Sequence, residues 1–257
     1  KGHVSTRGSM HRFKLLRLGR YGILRQLRLE EALFRTNQDN WCIISRGTEP
    51  PAVVMGISGK PAELIDIPKA KSNNVTVIKR FTGGGTVITD ENTLFVSFIC
   101  ATSALDVKNA WPREIMDWSA GFYREVFSEE SGFVLQEHDY CFHQRKFAGN
   151  AQAVSRDRCV HHTSFLWTYD SERMRNLTLP EKRPDYRADR SHDDFLVTME
   201  NYGASYPGVE ALRSPEAFES AVEAEVRNRY EVVESSLEEA LQSLEESHRA
   251  STKVIDL

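Results

Sequence analysis

Two stretches of this sequence combine charged side chains with residues that clear space around them. In the first, Lys79-Arg80-Phe81-Thr82-Gly83-Gly84-Gly85-Thr86-Val87, two cations stand just ahead of three consecutive glycines, and strand-like residues resume at once. Three glycines strip the Cβ atoms from one surface and leave backbone amides open to a ligand, while a guanidinium at Arg80 can fork onto a phosphate or carboxylate. A flexible hairpin tip would use the same glycines, so the run alone leaves both readings open. It is not a Walker loop, since no Gly-Lys-Ser/Thr follows. Nor is it a Rossmann fingerprint, because the spacing differs and no helix begins there.

The second stretch is Lys146-Phe147-Ala148-Gly149-Asn150-Ala151, a polar turn, and then His161-His162-Thr163-Ser164-Phe165-Leu166. A lysine leading into small residues on a strand can lay its ammonium along a groove, where a fixed positive charge stabilises a developing oxyanion or phosphate. A solvated lysine at a strand end is the plainer alternative. Adjacent histidines on a strand face opposite ways, which argues against His161 and His162 acting as a metal pair.

The elements that must hold these clusters follow from periodicity. Phe13–Leu18 reads as a first strand, and Leu27, Leu29, Ala32, Leu33 and Phe34 as the apolar stripe of a helix ending near Thr36-Asn37. Trp41–Ser45 and Ala52–Ile57 are β-branched runs parted by Gly47 and Pro50-Pro51, which suggests a hairpin. Val75–Ile78 and Thr93–Cys100 read as buried strands on either side of the glycine run. Ile115, Trp118, Phe122 and Val126 give one buried face to a helix within Ala110–Glu129. Lys146–Ser155 and Cys159–Thr168 read as paired strands around Arg156-Asp157-Arg158, and a polar, Arg-rich loop without periodicity spans Leu179 to Asp194. Ser214-Pro215 opens a helix through Phe218, Val222 and Val226, and Ser236 with Glu239 opens another with Leu237, Ala240, Leu241 and Leu244 on one face. Strands interleaved with helices without a regular β-α repeat predict an α+β fold, a mixed sheet flanked by helices.

Composition narrows the classes of function. In 257 residues there are 33 Lys and Arg against 37 Asp and Glu, so no polyanionic partner such as a nucleic acid is implied. No apolar stretch approaches the roughly 20 residues of a membrane span. Cys42, Cys100, Cys141 and Cys159 form no CxxC pair, which fits reduced thiols and an intracellular setting, either cytoplasm or mitochondrial matrix. Residues 1–9 read as a vector remnant, and 10–257 as one domain. Met10–Leu29 carries five Arg, one Lys and no acid, a bias shared by mitochondrial presequences, although the same stretch reads well as folded structure.

Taken together, the two clusters resemble a known family. KRFTGGGTVITDENTLF is similar to the RRxxGGGxVxHDxGN stretch of lipoate–protein ligases, and RKFAGNAQAVSRDRCVHHTSFL to their RK-[IV]-[SA]-G-[NS]-A segment followed by HHGTLL. Gln26–Leu33 resembles the family's N-terminal helix and Pro51–Gly56 its P-x-V-V-x-G strand, and His138-Asp139 stands where the family has Asn-Asp. The likeness covers roughly Phe13 to Asp170 and is specific to the biotin/lipoate ligase and octanoyltransferase superfamily.

The resemblance implies a catalytic domain of the biotin/lipoate protein ligase type. It implies that a lipoate or octanoate carboxylate attacks the α-phosphate of ATP, and that the acyl-adenylate is then passed to a lysine of a lipoyl domain. The implied acceptors are lipoyl domains of 2-oxoacid dehydrogenase E2 subunits or the glycine-cleavage H protein. Carried over, Lys146 touches both the α-phosphate and the acyl carbonyl, and Arg80, Gly83, Gly84, Gly85, Asn92, Gly149, Asn150 and His162 line the substrate and adenylate pocket. Asp139 helps to hold Mg²⁺. The sequence departs from the pattern at Thr89, where the family has His, at Glu91-Asn92, one residue short of D-x-G-N, at His138, and at Ile57-Ser58-Gly59 in place of R-x-Q. Two other functions share the scaffold. One is an ATP-independent acyl transfer between carriers, for which Cys141 and Cys159 are the cysteines near the site; the other is a non-catalytic relative. The family's C-terminal accessory domain is expected to be missing, or supplied as a separate chain, unless the helix Ser236–Glu246 is its remnant.

Overall fold

The computed structural model describes residues 10–178, 184–244 and 248–257. Its strands are β1 (Arg12–Arg20), β2 (Asn40–Arg46), β3 (Ala52–Met55), β4 (Thr76–Lys79), β5 (Gly83–Gly84), β6 (Val87–Thr89), β7 (Thr93–Ala101), β8 (Phe133–Gln136), β9 (Asp139–Phe142), β10 (Arg145–Val154), β11 (Arg158–Leu166), β12 (Glu231–Ser235) and β13 (Lys253–Val254). The helices are α1 (Ile23–Thr36), α2 (Pro61–Leu64), α3 (Ile67–Ser72), α4 (Pro112–Phe127), α5 (Ser171–Met174), α6 (His192–Phe195), α7 (Met199–Ser205), α8 (Pro215–Arg229) and α9 (Leu237–Gln242). The expected mixed sheet is present as two sheets.

The larger, nine-stranded sheet runs β12-β1-β2-β7-β11-β10-β9-β8, with β5 added on β10. Strand β1 is parallel to both β12 and β2, and the remaining pairs are antiparallel. The smaller sheet runs β13-β4-β3-β6. Strand β7 shows why the larger sheet needs cover on both sides: Leu94, Val96, Phe98 and Cys100 enter the core built with α4 and α8, while Phe95 and Ile99 enter separate clusters that include α1 side chains. Such a strand carries no polar face, so it reads as a continuous apolar run. The α4 stripe packs as the spacing predicts, with Phe98 edge-on to both Trp118 and Phe122 at 5.1 Å between centroids.

Several expectations are corrected. Strands β2 and β3 are not a hairpin. The connection through Pro50-Pro51 carries the chain from one sheet to the other, where β3, buried on every residue, lies between β4 and β6. The Arg-rich loop expected from Leu179 lies outside the described residues up to Arg183. Beyond that it folds into a 3₁₀ turn at Asp185–Arg187 and the short helix α6, whose N-terminus is capped by Ser191 Oγ accepting from the Asp194 amide. Helix α9 has the predicted capping box between Ser236 and Glu239. Leu237, Ala240 and Leu244 pack against the larger sheet, whereas Leu241 faces solvent. Strands β8, β12 and β13 had no clear sequence signal, being short and, in β12 and β13, largely exposed.

Candidate active site

The two clusters meet along β10. Its first half pairs with β9 through Arg145↔Phe142, Lys146↔Cys141 and Ala148↔Tyr140, with an irregularity between Lys146 and Ala148. Where β9 ends, the glycine strand takes its place, with Ala151 opposite Gly84 and Gln152 opposite Gly83. The other edge of β10 pairs with β11, setting Gly149 opposite Ser164 and Ala151 opposite His162. A cleft of about 1040 Å³ opens over this junction. Of the predicted residues, Arg80, Gly83, Gly84, Gly85, Asp139, Lys146, Gly149, Asn150 and His162 border it. Asn92 does not: it lies in the turn between β6 and β7, its amide donating to Asp90 Oδ1 at 2.9 Å.

Lys146 Nζ lies 2.7 Å from Asp139 Oδ1, a close charge-assisted contact between the two residues expected to handle phosphate and metal. Asp139 Oδ2 accepts from the Tyr186 hydroxyl at 2.8 Å, and the Cys141 thiol donates to the same hydroxyl at 3.3 Å. Burial, together with the carboxylate beside it, pushes the Tyr186 phenol well up, so it stays a protonated donor. Lys146 also borders a smaller pocket of about 80 Å³, whose walls mix apolar side chains such as Ile88, Met174 and Phe195 with polar ones from Ser164, Arg187 and His192. The pocket's far wall is held to β10 by the Val197 amide donating to the Lys146 carbonyl at 2.9 Å.

Arg80 has a different role from the one its type suggested. It is buried; Nε donates to Thr82 Oγ1 at 2.9 Å, Nη1 to the Val54 carbonyl at 3.3 Å and Nη2 to the Gly85 carbonyl at 2.7 Å. Burial pulls its pKa down to about 10. The guanidinium therefore braces the glycine loop from behind and is not free to fork onto a ligand. Gly84 is likewise required by the protein itself: φ is +126°, and a Cβ would sit 2.6 Å from the Asn150 carbonyl oxygen and 2.7 Å from Arg80 Nη2. Gly56 makes the matching approach from the other side, where a Cβ would lie 2.4 Å from the Gly84 carbonyl oxygen. Gly85 has open space at its Cβ position. The Asn150 side chain is a latch, accepting from Thr163 Oγ1 at 2.8 Å and donating to the His138 carbonyl at 3.1 Å.

The histidines part to opposite faces as the strand geometry requires. His161 contacts the Tyr140 hydroxyl and Gln152, and burial pushes its pKa down to about 3. His162 turns to the face of α1 and meets Glu30. Cys141 and Cys159 are both buried and do not border the cleft, and burial pushes the Cys141 thiol up to about 11. Among the described residues no three His, Cys, Asp or Glu side chains converge as a metal site, so a magnesium ion near Asp139 would need substrate oxygens as further ligands. No helix of the described residues is long and apolar enough to cross a membrane.

Sequence reasoning missed Tyr186, Glu137 and Glu30. Tyr186 comes from a segment without periodicity, and Glu137 forms the tip of the β8–β9 hairpin at φ 53°. Glu30 did leave a trace: Gln26 and Glu30, one helical turn apart, interrupt the apolar stripe of α1 and are both fully buried.

Residues 23–223 match the family model described as the lipoyl protein ligase A/B catalytic domain. The chain is 30% identical over 237 residues to a Plasmodium falciparum protein named inactive lipoate–protein ligase 2, covering 71% of this chain and 62% of that one. The chain thus spans less than two thirds of the length of the curated relatives it matches. Among solved structures, the bi-partite lipoate protein ligase of Thermoplasma acidophilum, described with its E2 lipoyl domain, superposes with a TM-score of 0.67 at 20% identity, covering 91% of this chain and 90% of that one. A lipoate-protein ligase A bound with ATP gives a TM-score of 0.64 at 18% identity, with 91% and 92% covered. The fold is therefore that of the lipoate–protein ligases.

Proposed function

The chain belongs to the lipoyl protein ligase A/B catalytic-domain family, and within that family we propose that it activates lipoate or octanoate with ATP and transfers the acyl group to a lysine of a lipoyl domain. The observation that carries the reading is Lys146, an ammonium on strand β10 where the large cleft meets the smaller pocket, with Asp139 2.7 Å away. The smaller pocket, with Ile88, Leu166, Met174 and Phe195 in its walls, suits an acyl chain, and the cleft over the glycine loop suits a nucleotide. Lys146 at their junction faces the carboxylate that must react with the α-phosphate, and then the carbonyl that the acceptor amine attacks. A point charge on a flexible stem can follow negative charge from one oxygen to the other. Asp139, released from Lys146 when an anion enters, offers its carboxylate to a magnesium ion carried on the nucleotide.

The acceptor in this reading is a lipoyl domain of an E2 subunit or an H protein. The Plasmodium relative named inactive favours a second reading, in which adenylation is lost and only acyl binding or transfer remains. The commitment of Arg80 to the glycine loop and the replacement of the family's His by Thr89 point the same way. The cysteine-dependent transferase is disfavoured, because neither Cys141 nor Cys159 reaches the cleft. Isotope exchange between pyrophosphate and ATP, with lipoate, octanoate and biotin in turn, tests the first reading. Exchange with lipoate or octanoate supports it. No exchange, with acylation of a lipoyl domain from ready-made lipoyl-adenylate, establishes the second. ATP-independent acylation from octanoyl carrier protein that is lost on Cys141→Ser or Cys159→Ser overturns both.

A further inference from the structure

A buried carboxylate and an imidazole meet at the back of the cleft, and the reaction outlined above makes no use of them. Glu30 is completely buried on α1; its Oε1 accepts from Gln26 Nε2 at 2.9 Å and from Ser97 Oγ at 2.7 Å. His162 Nδ1, on β11, lies 3.0 and 3.1 Å from the two carboxylate oxygens. Burial raises the pKa of Glu30, but His162, Ser97 and Gln26 together outweigh it and keep the carboxyl ionised. Two other charged or titratable groups stand close. Arg80 is a buried cation that feels the Glu30 charge, and His161 points to the opposite face and is held neutral by burial.

This arrangement fixes the tautomer. An ionised carboxylate only accepts, and the single Ser97 hydroxyl proton is directed to it, so Nδ1, 2.9 Å from Ser97 Oγ and 3.0 Å from Glu30 Oε1, carries the proton that faces both oxygens. In the neutral ring Nε2 then holds a lone pair. It has no hydrogen-bond partner among the described residues, although His162 is only 6% exposed, and the residue borders the cleft on the strand next to Lys146. A carboxylate behind one nitrogen, with the other left open toward a reaction space, is the arrangement that makes an imidazole an oriented base.

We propose that His162, positioned by Glu30, is the proton acceptor for the amine that attacks in this cleft. The proposal rests on the acyl-transfer reading above. The acceptor lysine arrives as its ammonium ion, and His162 Nε2 takes one of its protons. The free amine then attacks the acyl carbonyl carbon: a C–N bond forms, the carbonyl electron pair moves onto oxygen beside Lys146, and the N–H proton now in excess passes to water. The tetrahedral centre then collapses: the carbonyl re-forms, the bond from the acyl carbon to the phosphate oxygen breaks, and that electron pair leaves with AMP. The imidazolium, stabilised by Glu30, returns its proton to water. Lys146, as a cation beside the developing oxyanion, supplies charge and is not available as the base.

The test uses the full chain, a lipoyl domain, preformed lipoyl-adenylate and two nucleophiles in single-turnover reactions. The nucleophiles are the domain lysine, which must shed a proton, and hydroxylamine, which is largely unprotonated at neutral pH. His162→Ala is expected to slow acylation of the lysine by roughly 100-fold or more, within the usual range for loss of a general base. Hydroxamate formation should stay within about 3-fold, and added imidazole should restore part of the lysine reaction. His162→Gln retains an amide that can donate to Glu30, and it should show the same split if the cavity itself is unharmed. Glu30→Gln, the positioning variant, should lose roughly 10-fold with lysine and little with hydroxylamine. Equal losses with both nucleophiles would mean that the pair only shapes the cleft, and an undiminished lysine reaction would mean that His162 takes no proton; either overturns the proposal. Wild-type protein that acylates hydroxylamine but never the domain lysine overturns it as well. Failure of wild-type protein to acylate either nucleophile would instead overturn the acyl-transfer reading, and this proposal with it.

Discussion

The two walls of the cleft are built on opposite principles. On the glycine wall the polar groups turn inward. Arg80 donates to the carbonyls of its own loop, Gly84 is pressed against the Asn150 carbonyl, and Gly56 leaves room for the Gly84 carbonyl. On the lysine wall the charged groups stay at the surface of the cleft: Lys146 and Asp139 share one short contact, with Tyr186 steadying the carboxylate. A conspicuous glycine motif here is chiefly a device of backbone packing, while the chemistry proposed for the cleft rests on a lysine in an unremarkable run of small residues. The comparison predicts that changes on the lysine wall alter rate with little effect on stability, and that changes on the glycine wall alter both together.

The largest effect is expected at Lys146. Lys146→Ala should lower acyl transfer to a lipoyl domain by roughly 10²–10³, as for loss of one preorganised charge at a developing oxyanion. Stability should fall by only about 1 kcal/mol, since Asp139 keeps the Tyr186 hydrogen bond and gains cleft water. Single-turnover mass spectrometry and urea unfolding measure the two quantities. A variant that lost several kcal/mol would make the lysine a structural ion-pair partner first. Gly84→Val should also abolish most activity, but through the fold: a branched side chain at φ +126° against the Asn150 carbonyl costs about 3 kcal/mol or more. A stable Gly84→Val protein that had lost activity would return the glycine to the role of clearing space for a ligand and erase the contrast between the walls.

Most of the elements were legible because their signals are local. The α4 stripe at Ile115, Trp118, Phe122 and Val126, the Ser214 cap and the capping box at Ser236 depend on near neighbours in the chain, and each appears in the structure. The β10–β11 pair around Arg156-Asp157-Arg158 was legible for the same reason, but partnership between strands distant in the chain was not. Pro50-Pro51 looks the same whether it turns a hairpin or carries the chain into a second sheet, since the difference lies in which distant strand waits for β3. The site divides in the same way. Residue types marked Lys146, Asp139 and the glycines, and nine of the predicted residues border one cleft along a shared strand. What each one does there was hidden, because the direction of a hydrogen bond is a property of contacts. Arg80 reads as a ligand fork until the carbonyls of residues 54 and 85 are seen around it. Tyr186 carried no signal at all, being 47 residues from the Asp139 it steadies.

A middle-sized effect tests how far the lysine wall extends. Tyr186→Phe removes one hydroxyl, which donates to Asp139 at 2.8 Å and accepts from Cys141. A hydrogen bond to a charged group is worth about 1.5–3 kcal/mol, so misplacement of Asp139 and Lys146 should lower turnover by roughly 10-fold. Thermal stability should change little, because the ring still packs against Phe195 at 5.3 Å. If the rate were unchanged, the lysine wall would reduce to Lys146 and Asp139 alone.

The smallest effect is expected behind the glycine wall, where a second buried carboxylate ties the last residues of the chain to the loop. Glu31 accepts from the Ser251 amide at 2.8 Å, the Thr252 amide at 2.9 Å and Arg35 Nε at 3.0 Å. Thr252 Oγ1 accepts in turn from the amide of Phe81, next to Arg80, and the chain continues into β13 at the edge of the smaller sheet. Burial alone would raise the Glu31 pKa, but the amide and guanidinium donors prevail and leave it lowered. A carboxyl whose folded pKa lies below its unfolded value adds stability that is fully present above the ordinary carboxylate range and is lost as pH falls through the folded value. Glu31→Gln should therefore cost about 1–2 kcal/mol near neutral pH, and the deficit should shrink on acidification until the two proteins unfold alike. Turnover at 25 °C should be nearly unchanged, because the loop keeps its own braces at Arg80 and Gly56. Denaturation followed from pH 7 downward measures this convergence. A deficit that stayed constant at every pH would show that the side chain's shape, and not its charge, holds the strap in place.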